Sequence, residues 1–207
     1  MKGRYNGCIV NVYSGMPDAN RLASIPALSK KVKQRLRPTD YYNPRNTMPG
    51  AQHGLMVTAH SVLRGDAEVG PKVVVWGGRQ IGIETTELLA NQGKEVIIVE
   101  GSTKVGRDIN SLDVWSLRMR LSKLGVKMLT KSALREMGPG AVIVVGQDGE
   151  QTIPVDTVVV AKKLKADKEL RESFEGEVNE LYAVGDCVAP RKAINAVHEG
   201  FRVGVQI

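Results

Sequence analysis

The chain has 207 residues, 42% of them hydrophobic, and a formal net charge of +7. That length suits one large domain, or one domain with part of a second, and no apolar run approaches the ~20 residues that cross a bilayer. The only cysteines, Cys8 and Cys187, form no C-x-x-C pair and no metal-ligand spacing, so a reduced, cytoplasmic setting is expected.

Residues 1–50 hold nine Lys or Arg and two Asp, which accounts for the whole net charge of +7. The basic residues concentrate in Lys30–Arg37 (KKVKQRLR). Such a run suits nucleic acid or an acidic surface, or simply a solvated helix or linker. No aromatic residue is interleaved to stack on bases, which favours the solvated reading. The opening residues show no long apolar stretch of the signal-peptide kind. Tyr5–Val12 predicts a strand. Pro38, Asn43, Pro44, Asn46 and Pro49 mark a loop. The whole of 1–50 is expected to be the least ordered part. Residues 51–70 form a connector, in which MVTAHSVLR (56–64) predicts a short strand and helix closed by Gly65.

The segment 71–168 is expected to be an α/β domain. It opens with the most informative run of the chain, VVVWGGRQIGIETTELLANQGKEVIIVE (73–100). An apolar strand, Val73–Trp76, enters a glycine turn. A helical pattern follows, then a second apolar strand, Val96–Val99, which ends in Glu100. This order suits a dinucleotide. The turn opens a helix, and the helix N-terminus meets a pyrophosphate with free N–H groups and the positive end of its dipole. An acid about 20 residues on accepts the ribose hydroxyls. The candidate contacts are Gly77, Gly78, Arg79, Gln80, Ile81, Gly82 and Glu100. In the G-x-G-x-x-G pattern Arg79 replaces the middle glycine. Its guanidinium either lies on the phosphates or blocks them. Glu100 would repel a 2′-phosphate, so NAD(H) is expected rather than NADP. The plainer alternative is an acid that merely ends a strand at the surface.

GSTKVGRD (101–108) reads as a loop. Leu112, Val114, Trp115, Leu117, Leu121 and Leu124 recur at helical spacing, with Gly125 as the stop. Val126–Thr130 predicts a strand. Ala141–Val145 and Thr157–Val160 predict further strands about the turn GQDGEQ, and together these read as a β-meander. His53, His60 and His198 are scattered and read as structural or solvated.

The last segment, 169–207, carries a second signal. Glu180–Val184 predicts a strand that runs into Gly185-Asp186, and a helical pattern begins at Ala193. A glycine and an acid at a strand end, followed by a helix N-terminus, suit a sugar or ribitol hydroxyl and an electron-rich group. Gly185, Asp186 and Ala193 are the candidate contacts. Cys187 reads as a small buried apolar residue, since no resolving cysteine is near.

Taken together, VVVWGGRQIGIETTELLANQGKEVIIVE, VGRDIN, LSKLGVKMLT and LYAVGDCVAPRKAINAVHEGFRVG resemble the two-dinucleotide flavoproteins of the pyridine nucleotide-disulfide oxidoreductase superfamily. The match is to the C-terminal part of the NADH:flavin oxidoreductases related to 2,4-dienoyl-CoA reductase and trimethylamine dehydrogenase, and it covers roughly 50–207. The resemblance implies an NAD domain inserted in an FAD domain, hydride transfer from NADH to FAD, and an aspartate at Asp186 on the flavin ribitol. The chain departs from that pattern at Arg79, at Tyr13-Ser14-Gly15, and in AKKLKAD (161–167), where Lys163 and Ala166 replace a glycine and a proline. It also lacks the first FAD-binding β-α-β unit, the FMN barrel and the cysteines of an iron–sulfur cluster. The fold class expected is α/β, a Rossmann-like NAD-binding domain with a β-meander and a partial FAD-binding domain at the C-terminus. FAD affinity of the chain alone is expected to be weak, with a partner chain or a homo-oligomer completing the site. The alternative is a non-catalytic remnant serving as an assembly module.

Overall fold

The computed structural model describes residues 7–12, 48–51, 56–162, 166, 168–172, 175 and 180–206. The expectations for Lys30–Arg37, for the proline-rich loop before 48, for His53 and for Tyr13-Ser14-Gly15 lie outside these residues. The chain divides into two compact units, Asn43–Lys162 and, from either side of it in sequence, Met1–Tyr42 with Lys163–Ile207. The described elements are, in order, β1 (Gly7–Val12), β2 (Met56–Thr58), α1 (Ala59–Arg64), β3 (Lys72–Trp76), α2 (Gln80–Asn91), β4 (Glu95–Glu100), α3 (Ser111–Lys123) and β5 (Lys127–Thr130). There follow β6 (Ala133–Gly138), β7 (Ala141–Gly146), β8 (Gly149–Pro154), β9 (Thr157–Val160), α4 (Glu169–Glu172), β10 (Glu180–Gly185) and α5 (Ala193–Gly204). Among the described residues no helix is long and apolar enough to cross a membrane.

The Asn43–Lys162 unit is built on a five-stranded sheet in the order β2-β9-β3-β4-β5, parallel throughout. A strand buried on both faces reads as an unbroken apolar run, and β3 does so because its alternate residues enter two cores. Val73 and Val75 join Ile83 and Leu89 of α2 and Val114 and Leu121 of α3 on one face. Val74 and Trp76 join Leu134, Val142, Val144 and Ile153 on the other. That second face is covered by an antiparallel three-stranded sheet, β6-β7-β8. Two threonines in the helix-side layer need no external partner. Thr85 and Thr86, both fully buried, donate to the carbonyls of Ile81 and Gly82 one turn back, the usual outlet for a hydroxyl inside a helix.

One sequence expectation is corrected here, and one strand is added. Thr157–Val160 does not belong to the meander. It is β9, parallel and central between β2 and β3. All four of its residues are buried, as a strand covered on both faces requires, whereas a meander strand with one solvated face alternates. The meander's other members are β8, which extends from the GQDGEQ turn, and β6 (ALREMG), which the apolar pattern does not announce. Leu134 and Met137 are both in the core although three residues apart. A register shift between Leu134 and Glu136 lets both point inward, since a bulge inserts one residue and restores the inward phase.

The helix α3 forms where its spacing predicts, with Asn110 accepting from the Leu112 N–H as its cap. Its apolar residues divide. Val114 and Leu121 are buried, while Leu112 is 79% and Trp115 67% exposed. Gly125 adopts φ +75° just past the helix end, the left-handed stop expected of a glycine there.

In the other unit β1 and β10 form a parallel pair, Gly7 opposite Glu180 through Val12 opposite Gly185. The helix α5 packs on β10.

The two-core arrangement separates structural from surface apolar residues. Ile98, with no exposed surface, should lose about 2–5 kcal/mol of stability as Ile98→Ala. Trp115→Ala should stay within about 0.5 kcal/mol. Urea unfolding of both variants measures the contrast, and comparable losses would contradict it.

Candidate dinucleotide-binding site

In the Asn43–Lys162 unit, seven of the ten residues singled out in the sequence come together at the C-terminal ends of β3 and β4: Gly77, Gly78, Arg79, Gln80, Ile81, Gly82 and Glu100. The turn is shaped by close backbone approach. Gly77 has φ +118°, and a Cβ there would lie 2.6 Å from the Ala161 carbonyl oxygen at the end of β9. At Gly82 a Cβ would lie 1.9 Å from the Gly77 carbonyl oxygen. The chain therefore leaves β3, touches β9 and enters α2 by a path open only to glycine at both points. Gly78 is tight too, since a Cβ would meet Glu100 Cβ at 3.0 Å.

Arg79 stands at the N-cap of α2 and makes no side-chain cap bond. Gln80, Ile81 and Gly82 form the first turn, whose N–H groups have no acceptor within the helix. One of them is taken by a residue that sequence reasoning left without a role. Asp108 Oδ1 accepts from the Gln80 N–H at 3.1 Å, and Asp108 Oδ2 pairs with Arg79 Nε at 3.1 Å.

Glu100 is 8% exposed, so it is not a solvated acid at a strand end. Its Oε2 accepts from the Gly78 N–H at 2.7 Å and its Oε1 from the Ser102 N–H at 2.8 Å. Burial alone would raise this carboxyl. The hydrogen bonds from Ser102 and Gly78, with the Lys162 ammonium, outweigh burial and hold it below the usual carboxylate range. Lys162 lies over the Trp76 ring, 4.6 Å from its centroid, a cation–π distance. Burial pushes the Lys162 ammonium below the usual lysine range against the pull of Glu100.

The remaining three, Gly185, Asp186 and Ala193, belong to the other unit. Gly185 ends β10 at φ +78°. Its N–H donates to Glu199 Oε2 at 2.7 Å, and Glu199 Oε1 pairs with Arg191. The hydrogen bond from Gly185, together with Arg191, holds the Glu199 carboxyl below its ordinary range. Asp186 Oδ1 faces the Arg191 N–H at 3.4 Å. Ala193 is the first residue of α5 and is exposed. Cys187 is buried and its thiol donates to the Val184 carbonyl. Burial pushes the thiol up in pKa, and a protonated thiol is a poor nucleophile. Among the described residues no group of three or more His, Cys, Asp and Glu is placed to hold a metal ion.

Asp108, Ser102, Lys162 and Glu199 are the site residues that the motif reading passed over. Asp108 lies within VGRDIN and Lys162 within AKKLKAD, runs already marked by resemblance, but spacing gave neither a partner. Glu199 likewise lies within LYAVGDCVAPRKAINAVHEGFRVG, and there too the pattern alone gave it no partner.

A parallel sheet in which a glycine turn joins a strand to a helix N-terminus, with an acid at the end of the next strand, is the arrangement of a dinucleotide-binding α/β protein. Residues 42–200 match the family described as pyridine nucleotide-disulphide oxidoreductase, and the chain belongs to that family. It is similar to a metal reductase of Desulforamulus reducens, 25% identical over 180 residues, covering 73% of this chain and 27% of that protein. An NADH oxidase of Thermoanaerobacter brockii is 33% identical over 138 residues, covering 66% of this chain and 21% of that protein. Among solved structures, a 2-naphthoyl-CoA reductase complex superposes with a TM-score of 0.74 at 32% identity, covering 82% of this chain and 26% of that one. A histamine dehydrogenase from Rhizobium sp. 4-9, at 20% identity and a TM-score of 0.73, shares the fold. The chain thus spans about a quarter of the length of the relatives it matches.

The carboxylate at the turn carries a pH prediction. A depressed Glu100 pKa stabilises the folded chain above the unfolded carboxyl value of 4.5, and this contribution fades as pH falls through the lower folded value. Glu100→Gln should therefore cost about 1–3 kcal/mol at neutral pH and progressively less as the solution is acidified through the carboxylate range. Chemical unfolding of both chains across that range checks it, and a pH-independent difference would refute the assignment.

Proposed function

We propose that the Asn43–Lys162 unit binds NAD(H), and that the chain is the nicotinamide-dinucleotide portion of a flavin-dependent oxidoreductase resembling the 2,4-dienoyl-CoA reductase and trimethylamine dehydrogenase group. One observation carries the reading. A glycine turn with no room for Cβ at Gly77 or Gly82 delivers the N-terminus of α2 beside a buried, ionised Glu100. Family membership and the resemblance to an NADH oxidase support it.

The residues fit such a ligand. Ile81 and Gly82 would present first-turn N–H groups and the positive dipole end to the pyrophosphate, and Gln80 would add its own once Asp108 leaves it. Glu100 accepts from the Gly78 N–H and from Ser102, and a carboxylate offers about four acceptor directions. Its position is therefore fixed by Gly78 and Ser102 while acceptor capacity remains for a ribose hydroxyl. The same charge disfavours a 2′-phosphate, which selects NAD(H) over NADP(H). Lys162 offsets part of that charge but stands over Trp76. In the other unit Asp186, at the end of β10, would accept from a flavin ribitol hydroxyl, and α5 would direct its N-terminus toward the ring system. The Gly185 N–H is already held by Glu199, so this glycine supplies backbone shape rather than a donor. NADH supplies a hydride that FAD accepts, and that chemistry belongs to the cofactors. No side chain of this chain is assigned as acid or base.

Fluorescence titration of the chain with NADH, with and without FAD, tests the reading. Saturable NADH binding is expected. Glu100→Ala should weaken it about tenfold or more, the value of a charge-assisted hydrogen-bond pair. NADPH should bind less tightly than NADH. An absence of NADH binding would sink the proposal and leave a fold kept for assembly.

A further inference from the structure

We propose that Asp108 is a built-in rival of the nucleotide pyrophosphate, so that binding at the Gly77–Gly82 turn is an exchange of anions at the N-terminus of α2. The inference rests on the reading of that turn as a dinucleotide cradle. It assigns to Arg79 and Asp108 a joint role that neither the motif nor the family membership supplies.

The geometry is specific. One carboxylate oxygen of Asp108 takes the Gln80 N–H at 3.1 Å, and the other takes Arg79 Nε at 3.1 Å. The Asp108 side chain is 22% exposed and that of Arg79 37%, so the pair is partly shielded but can be reached from solvent. Asp108 is also held in place by its own loop. Two residues before it, the Gly106 N–H donates to the Gly78 carbonyl at 2.6 Å. Gly106 has φ +75°, and a Cβ there would lie 2.3 Å from Val114 Cγ2 and 2.8 Å from Ile83 Cδ1. Two residues after it, Asn110 caps α3. The carboxylate is thus carried on a short span fixed at both ends, so that rotation of its side chain alone brings it to the head of α2 or takes it away.

An N–H at a helix start has one acceptor at a time, and the positive dipole end favours whichever anion occupies it. A pyrophosphate directed at Gln80 meets a carboxylate of like charge on the same donor. It also meets an Arg79 already neutralised. When the Asp108 side chain turns away, the Gln80 N–H and the guanidinium are released together, and both suit phosphate. The apparent affinity is then the intrinsic affinity reduced by the fraction of molecules with Asp108 displaced. Arg79 in place of the fingerprint glycine both closes the site in the free chain and serves it in the bound one. Asp108 decides between the two.

The test is a comparison of NADH and inorganic pyrophosphate binding by the parent chain, Asp108→Ala, Asp108→Asn and Arg79→Gly. Removing the carboxylate should tighten both ligands about tenfold. Asp108→Asn keeps a cap acceptor for Gln80 and should also tighten them, which covers a failure of the alanine variant to fold. Arg79→Gly should not reproduce the gain, since it leaves the carboxylate on Gln80. In the parent chain NADH should also shift the NMR signal of the Asp108 side-chain carboxyl carbon, a change that a purely structural Asp108 would not show. If the parent binds NADH and the Asp108 variants bind it equally or more weakly, the rivalry is refuted and the dinucleotide reading stands. If no chain binds NADH, both fall.

Discussion

The close passage of the β3–α2 turn against β9 is the constraint on which the rest of the Asn43–Lys162 unit depends. Gly77 passes the Ala161 carbonyl, and Gly82 packs over the Gly77 carbonyl, at distances that leave no room for a side chain. These contacts set how near α2 lies to the sheet. That in turn lets Ile83 and Leu89 reach Val73, Val75 and Ile98 in one core. They also fix where the α2 N-terminus points. A looser turn would move the helix off the sheet, opening the core and displacing the first-turn N–H groups at once. Packing and ligand geometry are therefore two consequences of the same glycines.

A buried backbone donor at such a turn, like the Gly78 N–H, has to be satisfied whether or not a ligand is present, and donors nearer the surface can take the same kind of partner. This chain meets the requirement with its own carboxylates. Glu100 takes the Gly78 N–H, Asp108 takes the Gln80 N–H, and in the other unit Glu199 takes the Gly185 N–H. Each acid is balanced by a nearby cation, respectively Lys162, Arg79 and Arg191. The three differ in what they leave available. Glu100 is fixed and keeps acceptor capacity. Asp108 stands on a donor that an anionic ligand would use. Glu199 holds a glycine whose left-handed backbone sets the turn after β10.

What the sequence disclosed followed from short-range rules. The run Val73–Glu100 announced strand, turn, helix and strand because buried parallel strands are apolar throughout and glycine marks close approach. The helix at 111–123 was equally plain from spacing, and so was the entry of α5 at Ala193. What stayed hidden depended on long-range pairing. Thr157–Val160 looks the same whether it joins a meander or a central parallel strand, and only its neighbours β2 and β3 decide. The β6 strand was masked by a bulge that breaks its alternation. At the site, Glu100 was legible because its distance from the glycines is set by one β-α-β unit. Asp108 was not, because its partners Arg79 and Gln80 are 29 and 28 residues away through a loop whose path no periodicity encodes.

Arg79 shows why a departure from a motif has to be judged with its partners. Alone, an arginine at a fingerprint glycine suggests either a phosphate ligand or an obstruction. In the fold its backbone is extended, with φ −82° and ψ −178°, a conformation any residue adopts without strain. The substitution thus imposes no backbone penalty, and what it adds at the turn is side-chain bulk and a positive charge. Asp108 offsets that charge for as long as the ion pair holds. The pair leaves the turn's shape intact, so the fold's stability and the site's charge are separable. A chain of this kind can keep the glycine framework that its core requires while the charge facing the ligand is set by one loop carboxylate.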